Sequence, residues 1–272
     1  GQLDERALSA ALRRDPDAAV AALADMATAT DPALRRQARQ LARRLLPRLG
    51  AVGPARRRGT RRLVSQVGGL EGDLDLDRVL ERSGGRRPRA GDELVTRRFG
   101  AAPRAVCLLV DRSGSMGGHA VALAAVRTAE AAAVLTAGSA QLRCGVIAFA
   151  SEPLVLRDPR AIGGAERVVE DLLALRGHGR TDLARALRAA TALLQSVPPG
   201  GRTVILLSDC LHTAGADPLP AAGLLDCLHV LGTSEAADAR AAGQALARRG
   251  HGRWWPARSV TELAVNLQFA LR

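Results

Sequence analysis

Asp111, Ser113 and Ser115 alternate along one short segment, Asp-Arg-Ser-Gly-Ser-Met, directly after the apolar run 105–110. One carboxylate and two hydroxyls at alternate positions can turn to the same side of a loop, and an all-oxygen set of that kind suits a hard cation. Gly114 and the Gly117-Gly118 pair permit the tight backbone path such a loop needs. Two later segments carry compatible groups. The stretch Gly-Arg-Thr-Asp at 179–182 offers the Thr181 hydroxyl and, in Asp182, a cap for the helix expected from Leu183. Leu-Ser-Asp at 207–209 closes another apolar run and presents Asp209. Asp111, Ser113, Ser115, Thr181 and Asp209 therefore form the expected ligand set. Mg2+ fits it best, with Mn2+ or Ca2+ also acceptable, and at least one coordination position stays open. A cation held by so few charges remains electrophilic and favours an incoming Asp or Glu from another protein. Taken singly, each residue is also an ordinary turn or cap former; the grouping at strand ends is what singles them out.

The elements that must position these loops are legible as alternating strands and helices. Apolar strands are expected at 106–110, 144–149, 204–207 and 227–231, with a short edge strand at 152–157 and a last strand around Trp254-Trp255. Helices are expected at 120–137, 166–175, 183–195, 235–249 and 260–271. The pattern predicts an α/β fold: a doubly wound, mostly parallel six-stranded sheet flanked by helices, with the loops at its carboxyl edge. This domain covers 103–272. A small helical region, 1–50, precedes it, with helices at 3–14, from Asp15-Pro16 to about 26, and from Asp31-Pro32 to about 49. The third has an apolar face (Leu34, Ala38, Leu41, Ala42, Leu45) opposite an Arg-rich one, which reads as a solvated surface or a docking surface. Residues 51–102 form an Arg/Gly/Pro-rich extension with short strands. Asp73, Asp75 and Asp77 alternate there like the start of a calcium loop, but Arg78 and Gly84 stand where that loop needs Gly and Glu. The alternation instead predicts an edge strand or extended arm with one charged face, closed by Leu80, and 93–96 another short strand.

Composition narrows the function. The 272 residues carry a net charge of +12, yet all 39 basic residues are Arg, and no aromatic interleaves with the basic cluster 56–62 to stack bases. Nucleic acid is a weaker expectation than an acidic protein surface. No GxGxxG or Walker loop is present. Cys107, Cys144, Cys210 and Cys227 form no CxxC pair and are expected as buried free thiols in a reducing compartment, hence the cytoplasm. No signal segment or membrane span is visible. Arg112 and Arg180 would flank the site with positive field, and His119, His178 and His212 lie beside it. His229 reads as structural, His251 as solvated, and Trp254-Trp255 as an anchor for the last strand. Ser113 and Ser115 lack an activating base, so no catalytic role is expected.

The DxSGSM run, the GxGRTD loop ending in Thr181-Asp182, and Asp209 closely resemble the metal-ion-dependent adhesion site of the von Willebrand factor A (integrin I-like) domain. The resemblance extends over 103–272, and 72–98 is similar to an extension found in some members. It implies the Rossmann-like fold and metal ligation by all five residues. The nearest likeness is to intracellular bacterial members: CoxE-like proteins, partners of MoxR-type motors, and magnesium-chelatase subunits. This implies an adaptor that engages an AAA+ ATPase or its client and is not itself an enzyme. The alternatives are a metal-dependent hydrolase and a basic nucleic-acid-binding scaffold led by residues 35–62.

Overall fold

The computed structural model describes residues 5–27, 61–67, 73–88, 94–101, 104–113, 142–161, 167–168, 171–172 and 179–271. The chain divides into two compact units, one made of 1–55 with 104–272 and the other of 56–103.

The first unit opens with two helices, α1 (Glu5–Arg14) and α2 (Pro16–Ala27). Asp15 separates them as expected: its Oδ1 accepts from the Ala18 N–H at 3.1 Å, while Pro16 takes a first-turn place where no N–H is needed. The third expected helix lies outside the described residues.

The unit 56–103 holds β1 (Arg61–Val67), β2 (Asp73–Leu74), α3 (Leu76–Ser83) and β3 (Val95–Ala101). The strands form an antiparallel sheet in the order β1-β3-β2, with Arg61 opposite Ala101 and Val67 opposite Val95. Asp73–Leu74 is an edge strand, as one expectation had it, but the extended arm with one charged face is corrected. Only Asp73–Leu74 is strand; Asp75 turns inward and is buried, and its Oδ1 accepts from the Arg78 N–H at the start of α3. The Ser65 hydroxyl donates to Asp75 Oδ2 at 2.9 Å, and the Arg97 guanidinium lies 2.8 Å from the same oxygen. Burial raises this carboxyl, but the bonds from Arg97, Ser65 and the Arg78 amide outweigh it and hold it below the usual carboxylate range. Leu80 is exposed rather than closing anything. A capping Asp and a sheet partner from elsewhere in the unit decided the outcome, and neither is visible in local alternation.

The remaining strands of the first unit are β4 (Arg104–Asp111), β5 (Leu142–Phe149), β6 (Pro153–Arg157), β7 (Arg202–Ser208), β8 (Leu228–Gly232) and β9 (Trp254–Pro256). Its later helices are α4 (Leu183–Leu193), α5 (Pro218–Ala222), α6 (Ala237–Arg249) and α7 (Val260–Leu271). The six-stranded sheet runs β6-β5-β4-β7-β8-β9, parallel except for the β5–β6 edge pair. Side chains alternate between two buried faces, which is why the central strands read as unbroken apolar runs. Ala105, Cys107 and Leu109 face a layer that includes Leu183 and Leu187 of α4 and Leu246 of α6. Val106, Leu108 and Val110 share the opposite core with Leu263 and Leu267 of α7 and with Leu12, Val20 and Leu23 of α1 and α2. The amino-terminal helices thus contribute to the same core as the sheet. Residues 167–168 and 171–172 are helical, with Val168 and Leu172 in that core; the expected helix at 120–137 lies outside the described residues.

Chain order reverses about β4, with β5 on one side and β7 on the other. In open α/β sheets the crevice at such a reversal, beyond the carboxyl ends of the strands, is where ligands bind. β4 ends on Asp111, and β7 ends one residue before Asp209.

Candidate metal centre

Each carboxylate at the crevice is fixed by its own loop. Asp111 Oδ1 accepts from the Ser113 N–H at 2.8 Å, and Asp209 Oδ1 accepts from the Leu211 N–H at 3.0 Å, the same two-residue turn used twice. Parallel pairing sets Val110 opposite Leu207, so Asp111 and Ser208 follow side by side. The Ser208 hydroxyl donates to Asp111 Oδ2 at 2.5 Å and accepts from the Cys210 N–H at 2.9 Å. Cys210 adopts φ +62°, rare for a residue with a side chain, and this turns the chain away directly after Asp209. Among the described residues Asp209 Oδ2 has no hydrogen-bond partner.

The third loop is tied in through its backbone. The Thr181 N–H donates to Thr213 Oγ1 at 2.9 Å, and the Thr213 and Ala214 amides donate back to the Thr181 carbonyl. The Asp182 amide donates to the Ala150 carbonyl beyond β5, and its Oδ1 accepts from the Arg185 N–H as the cap of α4. Gly215, at φ +83°, packs on the Asp182 carboxylate so closely that a Cβ there would collide with it. Loops after β4, β5 and β7 are therefore linked by named hydrogen bonds.

Asp111, Ser113, Thr181 and Asp209 are all buried, Asp111 completely. Burial pushes the Asp111 carboxyl above its ordinary range; the Ser208 and Ser113 hydrogen bonds oppose this, and the nearby Asp209 charge adds to it. Neither carboxylate has an ion-pair partner among the described residues. A buried acid facing a second buried carboxylate without a counter-charge among the described residues is costly unless a cation joins them. No group of three or more His, Cys, Asp or Glu able to hold a metal occurs among the described residues. The donor set here is of another kind: two carboxylates with hydroxyls of Ser113 and Thr181, all hard oxygens. That chemistry fits Mg2+, Mn2+ or Ca2+.

Of the five expected ligands, Asp111, Ser113, Thr181 and Asp209 stand on loops of one sheet edge, while Ser115 lies outside the described residues, as do His119 and His178. Arg180 and His212 are exposed, and Arg112 is half-buried with its backbone N–H bonded to the Phe149 carbonyl. Ser208 and Thr213 were missed as site residues; Ser208 could have been found from its place at the end of β7, one position before Asp209. His229 is structural as expected, its Nδ1 accepting from the Arg253 N–H. All four cysteines are free. Cys107, Cys144 and Cys210 are buried, with the Cys144 thiol pushed up to about 12 by burial, whereas Cys227 is only half-buried, which departs from the expectation of uniformly buried thiols.

Residues 106–212 match the family model described as von Willebrand factor type A domain, a span that takes in Asp111, Ser113, Thr181 and Asp209. No curated protein matches the chain. Among solved structures, proximal thread matrix protein 1 from the mussel byssus aligns with TM-score 0.51 and 16% identity over 62% of this chain and 47% of that one. The pilus adhesin SpaC from Lactobacillus rhamnosus GG, in its open conformation, aligns with TM-score 0.50 and 16% identity over 62% of this chain and 30% of that one. The chain thus spans less than half of either protein, and at such identities the likeness is one of fold.

Proposed function

We propose that the chain is a divalent-cation-dependent protein–protein interaction module. Asp111, Ser113, Ser115, Thr181 and Asp209 hold Mg2+, directly or through water, and a partner's Asp or Glu completes the coordination. The observation that carries this reading is the pair of buried carboxylates, Asp111 and Asp209, side by side at the reversal of the sheet without a basic partner among the described residues. When bound, the cation supplies an electropositive acceptor for an outside carboxylate. The chain's own groups do the rest: Ser208 and the Ser113 amide hold Asp111 in one orientation, and the Thr181–Thr213 bonds keep the third loop beside it. The match of residues 106–212 to the type A model supports the binding class over catalysis.

The partner we propose is an AAA+ ATPase of the MoxR or chelatase type, or the client it works on, in the cytoplasm. The support is the resemblance of the DxSGSM and GxGRTD runs to those of adaptors that serve such motors. The test is a pull-down from native lysate, with the intact chain and Asp111→Ala, in Mg2+ and in EDTA. An ATPase retained only by the parent and only with Mg2+ is the expected result. An identical set of retained proteins in all four conditions would remove the metal-bridged reading.

A further inference from the structure

A second feature lies on the same carboxyl edge of the sheet, beyond β8 and β9: a cleft lined by Ser234, Glu235, Arg240, Trp254, Pro256 and Arg258. Its floor is rigid, because the Trp254 indole packs on Gly232 and Gly243 so tightly that a Cβ on either would come within 2.6 and 2.8 Å of it. Its two arginines differ. Arg258 is already held by Glu235 at 2.7 Å and Glu262 at 2.6 Å. Arg240 is exposed, lies 5.2 Å from the Trp254 ring centroid, and has no carboxylate partner among the described residues. At the start of α6 the first-turn Asp238 carboxylate accepts from the Ala239 amide, and the Ser234 oxygen accepts from the Ala236 amide, which leaves the Ser234 proton to donate. A guanidinium that rests on an indole without a carboxylate partner among the described residues, beside a hydroxyl donor, favours one kind of visitor, a carboxylate.

Adjacent strands are about 4.8 Å apart, so the cleft stands roughly 10 Å from the Asp111–Asp209 crevice, the reach of about three extended residues. We propose that this cleft is a second anchor for the same partner. It takes an acidic side chain about three residues from the one at the cation, paired with Arg240. The inference rests on the cation-dependent reading above and adds a spacing requirement to it.

The probes are two synthetic peptides, acetylated and amidated at their ends so that only side chains carry charge, Glu-Gly-Gly-Glu and Glu-Gly-Gly-Gln, titrated in Mg2+ and in EDTA. Trp254 and Trp255 are the chain's only tryptophans, so 15N-indole NMR reports the cleft directly, with Trp255→Phe assigning the signals. The expected result is that the two-acid peptide binds about threefold to tenfold tighter and moves the Trp254 signal. Arg240→Gln abolishes that advantage and leaves the one-acid peptide unchanged; an unaltered Trp255 signal without peptide shows that the variant is folded. Equal affinities with an unmoved Trp254 signal, while both peptides still need Mg2+, overturn the second anchor alone. No Mg2+-dependent binding of either peptide overturns the proposed function and this inference with it.

Discussion

Asp111, first of the proposed ligands, is costly to the fold when no cation is bound. It is completely buried, receives two well-made hydrogen bonds, and faces a second carboxylate of the same sign. Removing its charge while keeping its shape should therefore relieve the apo protein. Asp111→Asn is expected to melt a few degrees above the parent in EDTA, since about 1 kcal/mol moves a domain of this size by roughly 2–4 °C. In saturating Mg2+ the order should invert, because only the parent gains from ligand binding, about 2.7 kcal/mol at a hundredfold excess over Kd. Paired thermal melts in EDTA and Mg2+ check both halves, and a parent indifferent to Mg2+ would count against the ligand set. Ser208 provides a second handle. Ser208→Ala leaves Asp111 Oδ2 and the Cys210 amide each short of a partner, so a loss of about 1–3 kcal/mol is expected in EDTA. Mg2+ affinity, read by calorimetry, should fall about tenfold or more as Asp111 loses its orientation.

Elements were legible where one physical cause acted alone. Strands β4, β5, β7 and β8 are buried on both faces, so unbroken apolar runs announced them, and Asp15-Pro16 marked the start of α2. Asp111 and Asp209 were legible for the same reason, since each follows such a run. Ser208 was not, because its role depends on pairing between strands 97 positions apart in the chain. The segment around Asp75 failed similarly: alternation implied an exposed charged face, whereas Ser65 on β1 and Arg97 on β3 draw Asp75 inside. That arrangement makes a prediction about acid. Because the bonds to Asp75 hold its carboxyl below the unfolded value, their contribution is complete above the usual carboxylate range and fades as pH falls through it toward the lower folded value. Amide exchange in β1 and β3 should accelerate below about pH 4. Asp75→Ala should show that fast exchange already at neutral pH, with β4 and β7 unaffected. Unchanged protection in β1 and β3 would show that Asp75 is dispensable to this small sheet.

At the scale of the molecule, the sheet does not complete its own cover. Among the described residues one face takes α4, α5 and α6; the other takes α7 and the helical residues Val168 and Leu172 together with α1 and α2, which begin about ninety residues before β4. Leu12, Val20 and Leu23 are 3%, 0% and 0% exposed against Val106, Leu108 and Val110 of the central strand's core. Each such side chain contributes about 1.5–3 kcal/mol by leaving water. Their sum is comparable to the whole stability of an ordinary domain, about 5–15 kcal/mol. A fragment confined to 103–272, which contains the 106–212 match to the type A model, therefore exposes apolar sheet surface that the intact chain buries. That fragment is expected to bind a hydrophobic dye, to associate at micromolar concentration, and to melt far below the intact chain. Adding residues 1–27 as a separate peptide should partly reverse the dye signal, because the lost contacts are side-chain packing rather than chain continuity. A fragment that melts with the intact chain and stays monomeric would mean that residues 103–272 close that face by themselves, and the amino-terminal helices would then be free to serve a partner instead of the sheet.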